Sequence, residues 1–101
     1  MLNQVVLVGR LTEEIKPIKL KDKDAATMTL SVSRTYKNDK GEYDIDYIEC
    51  TLFGGVVDAT KEYCHTGDIL GVKGSLEYID NKLTVIASKV TFLSSKHEKD
   101  E

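Results

Sequence analysis

The sequence predicts an all-β protein, a five-stranded barrel with one short helix between the third and fourth strands. Apolar and polar residues alternate along several segments, and the single stretch with helical spacing falls after the third of these segments. The length of 101 residues allows one domain with a small core and leaves no room for two.

Three segments ahead of the helix have the pattern of strands. Residues 3–12 are rich in β-branched side chains, which favour strands. Residues 25–36 alternate, with apolar side chains on one face and hydroxyl side chains on the other. The polar segment 37–43, which contains Gly41, then leads into residues 44–53, as expected for a hairpin.

The third strand carries two aromatic rings on one face. Its core side is predicted from the apolar residues Ile48, Cys50 and Leu52. Alternation places two rings and two polar residues on the other side. These outward residues are Tyr47, Glu49, Thr51 and Phe53.

The order of the remaining elements identifies the type of barrel. Residues 56–66 form the predicted helix, and Gly67 is a suitable stop signal. Residues 69–78 and 83–93 are the last two strands, joined by a tight turn at residues 80–82. Five strands with a helix between the third and fourth is the element order of an OB-fold.

The barrel is predicted to form one domain over residues 1–93. Residues 94–101 are polar and highly charged, so we expect a short disordered tail. No apolar run approaches the ~18 residues of a membrane span. The first residues lack the pattern of a signal peptide, which predicts a cytoplasmic protein with no membrane partner.

Charge and cysteine content bear on function in different ways. The net charge of -3 counts against nucleic-acid binding, but many acids fall in predicted loops or in the tail, which leaves a locally basic face open. Cys50 and Cys64 have no metal-site spacing, and they are predicted to be two free, buried thiols. We expect no cofactor and no metal.

An ordered series of motifs resembles the bacterial single-stranded DNA-binding protein family, and it extends over residues 3–93. The chain is similar to a short member of that family without the acidic C-terminal tip. The matching segments are Asn3 to Leu11, Ala26 to Tyr36, Gly41-Glu42-Tyr43, Tyr47 to Gly54, Tyr63, Gly67-Asp68 and Gly71 to Leu76.

The resemblance implies sequence-independent binding and protection of single-stranded DNA in replication, recombination or repair. It implies a homotetramer with the strand wrapped over its surface. It also implies stacking aromatic residues at Tyr36, Tyr47 and Phe53. The family often has Trp at the first two positions, whereas this chain contains no Trp.

The chain departs from the family in two regions. The loop between the last two strands, a long DNA-gripping hairpin in the family, is shortened to about three residues, and Tyr78 and Lys82 are the nearby candidates for contact. The last eight residues contain no apolar side chain, so recruitment of replication enzymes through a C-terminal tip is not expected.

The predicted binding residues combine rings with cations, because flat rings stack any base and cations follow the backbone. Tyr36 has the parity of the core residues on its strand, so it reaches the Tyr47 side only if a bulge intervenes after Val32. The predicted set is Arg10, Arg34, Tyr36, Lys37, Tyr47, Phe53, Lys73 and Tyr78.

Two other classes of function compete with single-strand binding. An enzyme would need Cys64-His65 as nucleophile and base or Asp44 with Asp46 as a carboxylate pair, and neither arrangement has the required geometry or burial. The chain is therefore predicted not to be an enzyme. The main alternative is an OB-fold protein-interaction module of a primosome-type assembly with weak nucleic-acid binding, which fits Glu49 and the negative charge.

Overall fold

The computed structural model describes residues 1–95, and these residues form six strands and one helix. The predicted tail, residues 94–101, lies outside the described residues except for Ser94 and Ser95. The elements are β1 (Val5–Leu11), β2 (Lys16–Leu20), β3 (Lys23–Lys37), β4 (Tyr43–Phe53), α1 (Gly55–Tyr63), β5 (Ile69–Ile79) and β6 (Lys82–Ser94).

The strands form one sheet in the order β1-β5-β6-β4-β3-β2, and an additional β1–β3 pairing closes five of them into a barrel. All pairings are antiparallel except β4–β6, which is parallel. The prediction of an all-β, five-stranded barrel with a helix after its third strand is confirmed. β2 is an additional edge strand that pairs with β3.

Alternating side chains fill the barrel as the sequence predicts. Cys50 and Leu52 on β4 are fully buried, and Ile48 packs against them. β3, β1, β5, β6 and the segment directly after α1 contribute the rest of the core. The other buried core residues are Leu11, Met28, Leu30, Cys64, Leu70, Val72 and Ala87.

Two glycines allow strands to approach closely. A Cβ at Gly9 would lie 2.7 Å from the carbonyl oxygen of Ser31, beside the point where β1 closes onto β3. A Cβ at Gly74 would lie 1.9 Å from the carbonyl oxygen of Ile86, where the β5–β6 register shifts. These contacts explain why neither strand carries a side chain there.

The turns are short, and the helix is shorter than predicted. Asp80 and Asn81 alone join β5 to β6, and their positive φ angles of 53° and 63° are those of a type I′ hairpin. The helix ends at Tyr63 rather than at residue 66, because Cys64 is extended. The buried Asp68 then accepts a hydrogen bond from the backbone N–H of His65 at 2.8 Å, which stabilises the turn that follows.

Candidate nucleic-acid interface

The outer face of β3 and β4 carries three of the predicted binding residues, Lys37, Tyr47 and Phe53. We call it the Tyr47 face and define it by the outward residues of β4 and their direct partners on β3. The β4 members are Tyr43, Ile45, Tyr47, Glu49, Thr51 and Phe53, and their partners are Lys37, Ser33, Ser31, Thr29, Thr27 and Ala25. Directly paired residues of antiparallel strands share a face, so these twelve side chains lie on the same side, but Thr51 and Ala25 are buried there, at 3% and 5% exposure.

Arg10 and Tyr47 lie in one row across three strands. Arg10 pairs with Ser31, and Ser31 pairs with Tyr47. Two strand spacings separate the ring from the guanidinium-bearing residue by about 10 Å at the backbone. The Tyr47 side chain is 69% exposed, and Arg10 Nη1 donates a hydrogen bond to the carbonyl of Gly67 at 2.6 Å. The row therefore combines an open ring with a cation held in place.

Phe53 lies at the opposite end of this face, at the wall of a cleft of about 350 Å³. The cleft is lined by residues of β2, β3, β4, β5 and the turn between β2 and β3. They are Leu20, Lys21, Lys23, Phe53, Glu77 and Ile79. The Phe53 ring is half-buried, so it presents part of its surface to a ligand while it is packed on the rest.

Glu49 lies between the two rings and pairs with Lys82. The Oε1 atom of Glu49 is 3.5 Å from Nζ of Lys82, which follows the β5–β6 turn. Both side chains are more than half exposed, at 51% and 72%. This ion pair joins the middle of the Tyr47 face to the end of the β5–β6 hairpin.

Arg34 and Tyr36 lie on the other face of the β3–β4 hairpin. Arg34 binds Asp46 in a bidentate pair, with nitrogen–oxygen distances of 3.0 and 2.9 Å, and its Nη1 lies 3.7 Å from a carboxylate oxygen of Asp44. Arg34 Nη1 also donates to the hydroxyl of Tyr36 at 3.4 Å. Asp46 has the parity opposite to Tyr47, so this cluster points away from the Tyr47 face.

The ion pair shifts the proton equilibria of both partners. The hydrogen bond from Arg34 and its positive charge hold the pKa of Asp46 below its ordinary value. The pKa of Arg34 is raised, chiefly by the hydrogen bond and charge of Asp46. Roles for Arg34 and Tyr36 in binding stay predictions, and the structure separates both residues from Tyr47 and Phe53.

Lys73 and Tyr78 also lie apart from the Tyr47 face. Lys73 is an exposed residue of β5 whose direct partners are Val6 and Lys89. Tyr78 is 75% exposed, but its neighbour Ile79 lines the Phe53 cleft, so alternation points Tyr78 to the other side of the hairpin. Contacts of these two residues with nucleic acid stay predictions.

The thiols lack the environment of a nucleophile. Both cysteines are free and buried. Burial, with a smaller effect from Glu49, raises the pKa of Cys50 to about 11, and burial followed by the charge of Asp68 raises that of Cys64. A reactive cysteine needs a lowered pKa. Among residues 1–95, no group of three His, Cys, Asp or Glu side chains is placed to hold a metal ion.

Comparison with known proteins identifies the class and then the family. The fold superposes on the Plasmodium falciparum SSB, solved in complex with ssDNA, with a TM-score of 0.72 at 22% identity over 93% of this chain and 97% of that one. This likeness shows the fold. The model of the single-strand binding protein family matches residues 2–93, so the chain belongs to that family.

Curated relatives agree with this assignment. Single-stranded DNA-binding protein B of Bacillus subtilis is 40% identical over 79 residues, which are 76% of this chain and 69% of the relative. Single-stranded DNA-binding protein 1 of Staphylococcus aureus is 41% identical over 78 residues, 76% of this chain and 47% of the relative. The chain thus matches about half the length of the staphylococcal protein. None of the described helices is long and apolar enough to cross a membrane.

Proposed function

We propose that this chain binds single-stranded DNA without sequence preference, through the Tyr47 face, in replication, recombination or repair. The observation that carries the proposal is the placement of Tyr47 and Phe53 on one outer face, with Arg10 in the same row as Tyr47. The names of the curated relatives support the same ligand.

Stacking supplies the sequence tolerance. Tyr47 and Phe53 are six residues apart on one strand, so their backbones are separated by roughly 20 Å and each ring can hold a different base. Every base has a π-face, and stacking on a protein ring contributes about 1–3 kcal/mol per base. Between the rings the strand presents Glu49, while Thr51 is buried, so no array of amides suited to reading base edges is exposed there.

Cations along the edges of this face supply the contacts to phosphate. Lys37 is a member of the Tyr47 face, Arg10 pairs with its member Ser31, and Lys23 lines the Phe53 cleft. Glu49 adds a negative charge to this face, which is partly neutralised by its ion pair with Lys82. We therefore expect binding that weakens strongly as salt rises, because each phosphate contact releases counterions.

The proposal includes a homo-oligomer, predicted to be a tetramer. β1 pairs with β5 along Val5–Arg10 but with β3 only at Arg10 and Leu11. Within residues 1–95, the second edge of Val5–Val8 has no partner strand, and the side chains of Val6 and Val8 are 67% and 55% exposed. A second copy placed along this edge would pair its backbone groups and cover the valines. The predicted cytoplasmic location belongs to the same proposal, and we propose no catalysis.

A titration of fluorescent oligothymidylate tests the proposal. We expect saturable binding at low salt, weaker binding at moderate salt, and little competition from a duplex of the same length. Equal affinity for duplex and single strand would contradict it. An absence of binding at low salt would instead favour a protein-interaction module.

A further inference from the structure

The β3–β4 hairpin extends past the barrel, and its register determines which side chains share the Tyr47 face. Ser33 pairs with Ile45, but the next direct pair is Lys37 with Tyr43. β3 therefore contains two more residues than β4 between these pairs. An insertion of two residues preserves the alternation of side chains, so Lys37 and Tyr43 stay on the same face as Ile45 and Tyr47.

Tyr43 is open to a ligand and is held by its neighbours. The side chain is 53% exposed, and the Nζ atom of Lys37 lies 5.9 Å from the ring centroid, a cation–π contact. The adjoining loop is fixed by Asn38, whose Oδ1 accepts hydrogen bonds from the backbone N–H groups of Lys40 at 2.8 Å and Glu42 at 3.0 Å. The ring is thus presented by an ordered hairpin end.

The three aromatic residues of the Tyr47 face form a line along β4. Phe53, Tyr47 and Tyr43 are separated by six and four residues. At ~3.3 Å per residue these separations are about 20 Å and about 13 Å. Tyr36 does not join this line, because its hydroxyl accepts a hydrogen bond from Arg34 on the opposite face.

We propose that Tyr43, together with Lys37, is a further contact for single-stranded DNA at the hairpin end, where a base stacks on the Tyr43 ring and the Lys37 ammonium binds a neighbouring phosphate. This inference rests on the proposed function of the Tyr47 face. It extends the proposed DNA contacts over about 33 Å of that face, from Phe53 to Tyr43. In this proposal Tyr43 provides the third stacking ring, a role that the resemblance implies for Tyr36.

Matched substitutions in the full chain test this contact with fluorescent oligothymidylates of about 4 to 16 nucleotides, the range of site sizes for OB-folds. Tyr43→Ala is expected to weaken binding of the longer oligonucleotides about tenfold and to affect the shortest much less. Tyr43→Phe keeps the ring and should retain the affinity. Tyr36→Ala should cost less than Tyr43→Ala, and Lys37→Gln should lower the salt slope by about one.

Photo-crosslinking to oligonucleotides that contain 5-bromodeoxyuridine gives a readout that does not depend on affinity. A crosslink mapped to Tyr43 by mass spectrometry supports the proposal. Crosslinks at Tyr36 without any at Tyr43, or an unchanged affinity of Tyr43→Ala across the whole length series, would overturn it.

The outcomes separate this proposal from the function on which it rests. If the unmodified chain fails to bind oligothymidylate at low salt, the proposed function itself is wrong. If the chain binds and Tyr47→Ala weakens binding while Tyr43→Ala does not, only the contact at the hairpin end is wrong.

Discussion

Replacing Glu49 with glutamine tests whether nucleic acid crosses the middle of the Tyr47 face. Glu49 lies between the two rings of β4, so its carboxylate faces an approaching phosphate chain. Among the described residues, Glu49 forms one ion pair, with Lys82 at 3.5 Å. The substitution removes a repulsive charge and leaves Lys82 available to phosphate.

The magnitude follows from the exposure of the pair. Two like unit charges about 5 Å apart repel by roughly 0.8 kcal/mol in water and by about 3 kcal/mol at an effective dielectric constant of 20. Glu49 is 51% exposed, so the value for water is the better guide. Physiological salt reduces the repulsion by about half over this distance. We therefore expect Glu49→Gln to tighten binding about fourfold at low salt and about twofold at physiological salt.

The assay is a fluorescence titration with oligothymidylate at several salt concentrations. Glu49→Lys should bind more tightly than Glu49→Gln and should steepen the salt dependence by about one phosphate contact. Glu62→Gln is the matched control, because it changes the net charge by the same amount at an exposed position on α1. An equal gain in the control would show that overall charge, not the local contact, is responsible.

A loss of affinity in Glu49→Gln would refute the repulsion argument. Such a loss would mean that the Glu49 carboxylate positions Lys82 to bind phosphate. It would also mean that this positioning contributes more to affinity than the repulsion between Glu49 and the DNA removes. An exposed ion pair contributes only about 0.2–1 kcal/mol, so we expect positioning to be the smaller effect. No change in either Glu49 variant would show that DNA does not cross this face.

Three further predictions concern stability and reactivity. Gly74→Ala should lower the free energy of unfolding, measured by urea titration, by about 3 kcal/mol or more, because the new Cβ would lie 1.9 Å from the backbone oxygen of Ile86. Gly55→Ala is the control and should be tolerated, because no atom lies within 4 Å of its Cβ position. Cys50 and Cys64 should react with iodoacetamide slowly in the folded protein at pH 8 and rapidly in urea, and fast labelling of the folded chain would contradict their burial. Because folding raises the pKa of Cys50 from 9.0 to about 11, its contribution to stability is complete below pH 9 and is lost as the pH rises toward 11, which an alkaline melting series measures.

The sequence predicts the barrel well because alternation reports burial directly. Alternation correctly identifies the core residues of β3 and β4, such as Leu30 and Leu52, although Thr51 on the outer side is buried as well. β2 was not predicted, because its sequence KPIKL combines two lysines with Pro17, which is disfavoured inside a sheet. Pro17 is tolerated there since β2 is an edge strand that pairs only with β3.

The binding face was only partly predictable, since it depends on contacts between distant segments. Alternation alone placed Tyr47 and Phe53 together. The side to which Tyr36 points depends on how many extra residues β3 contains after Ser33. Because β3 contains two extra residues rather than one, the alternation is preserved and Tyr36 points away from Tyr47. The pairing of Glu49 with Lys82 depends on the position of the β5–β6 hairpin, which no local pattern in either segment indicates.

The most direct test of the central claim is the binding of oligothymidylate by Tyr47→Ala and Phe53→Ala. Each variant should bind about 1–3 kcal/mol more weakly than the unmodified chain, because each loses one stacked base. Circular dichroism, thermal melting and light scattering should show an unchanged fold and oligomeric state for Tyr47→Ala, whose ring is exposed, and a modest loss of stability for the half-buried Phe53. Unchanged affinity in both folded variants would contradict the assignment of single-strand binding to the Tyr47 face.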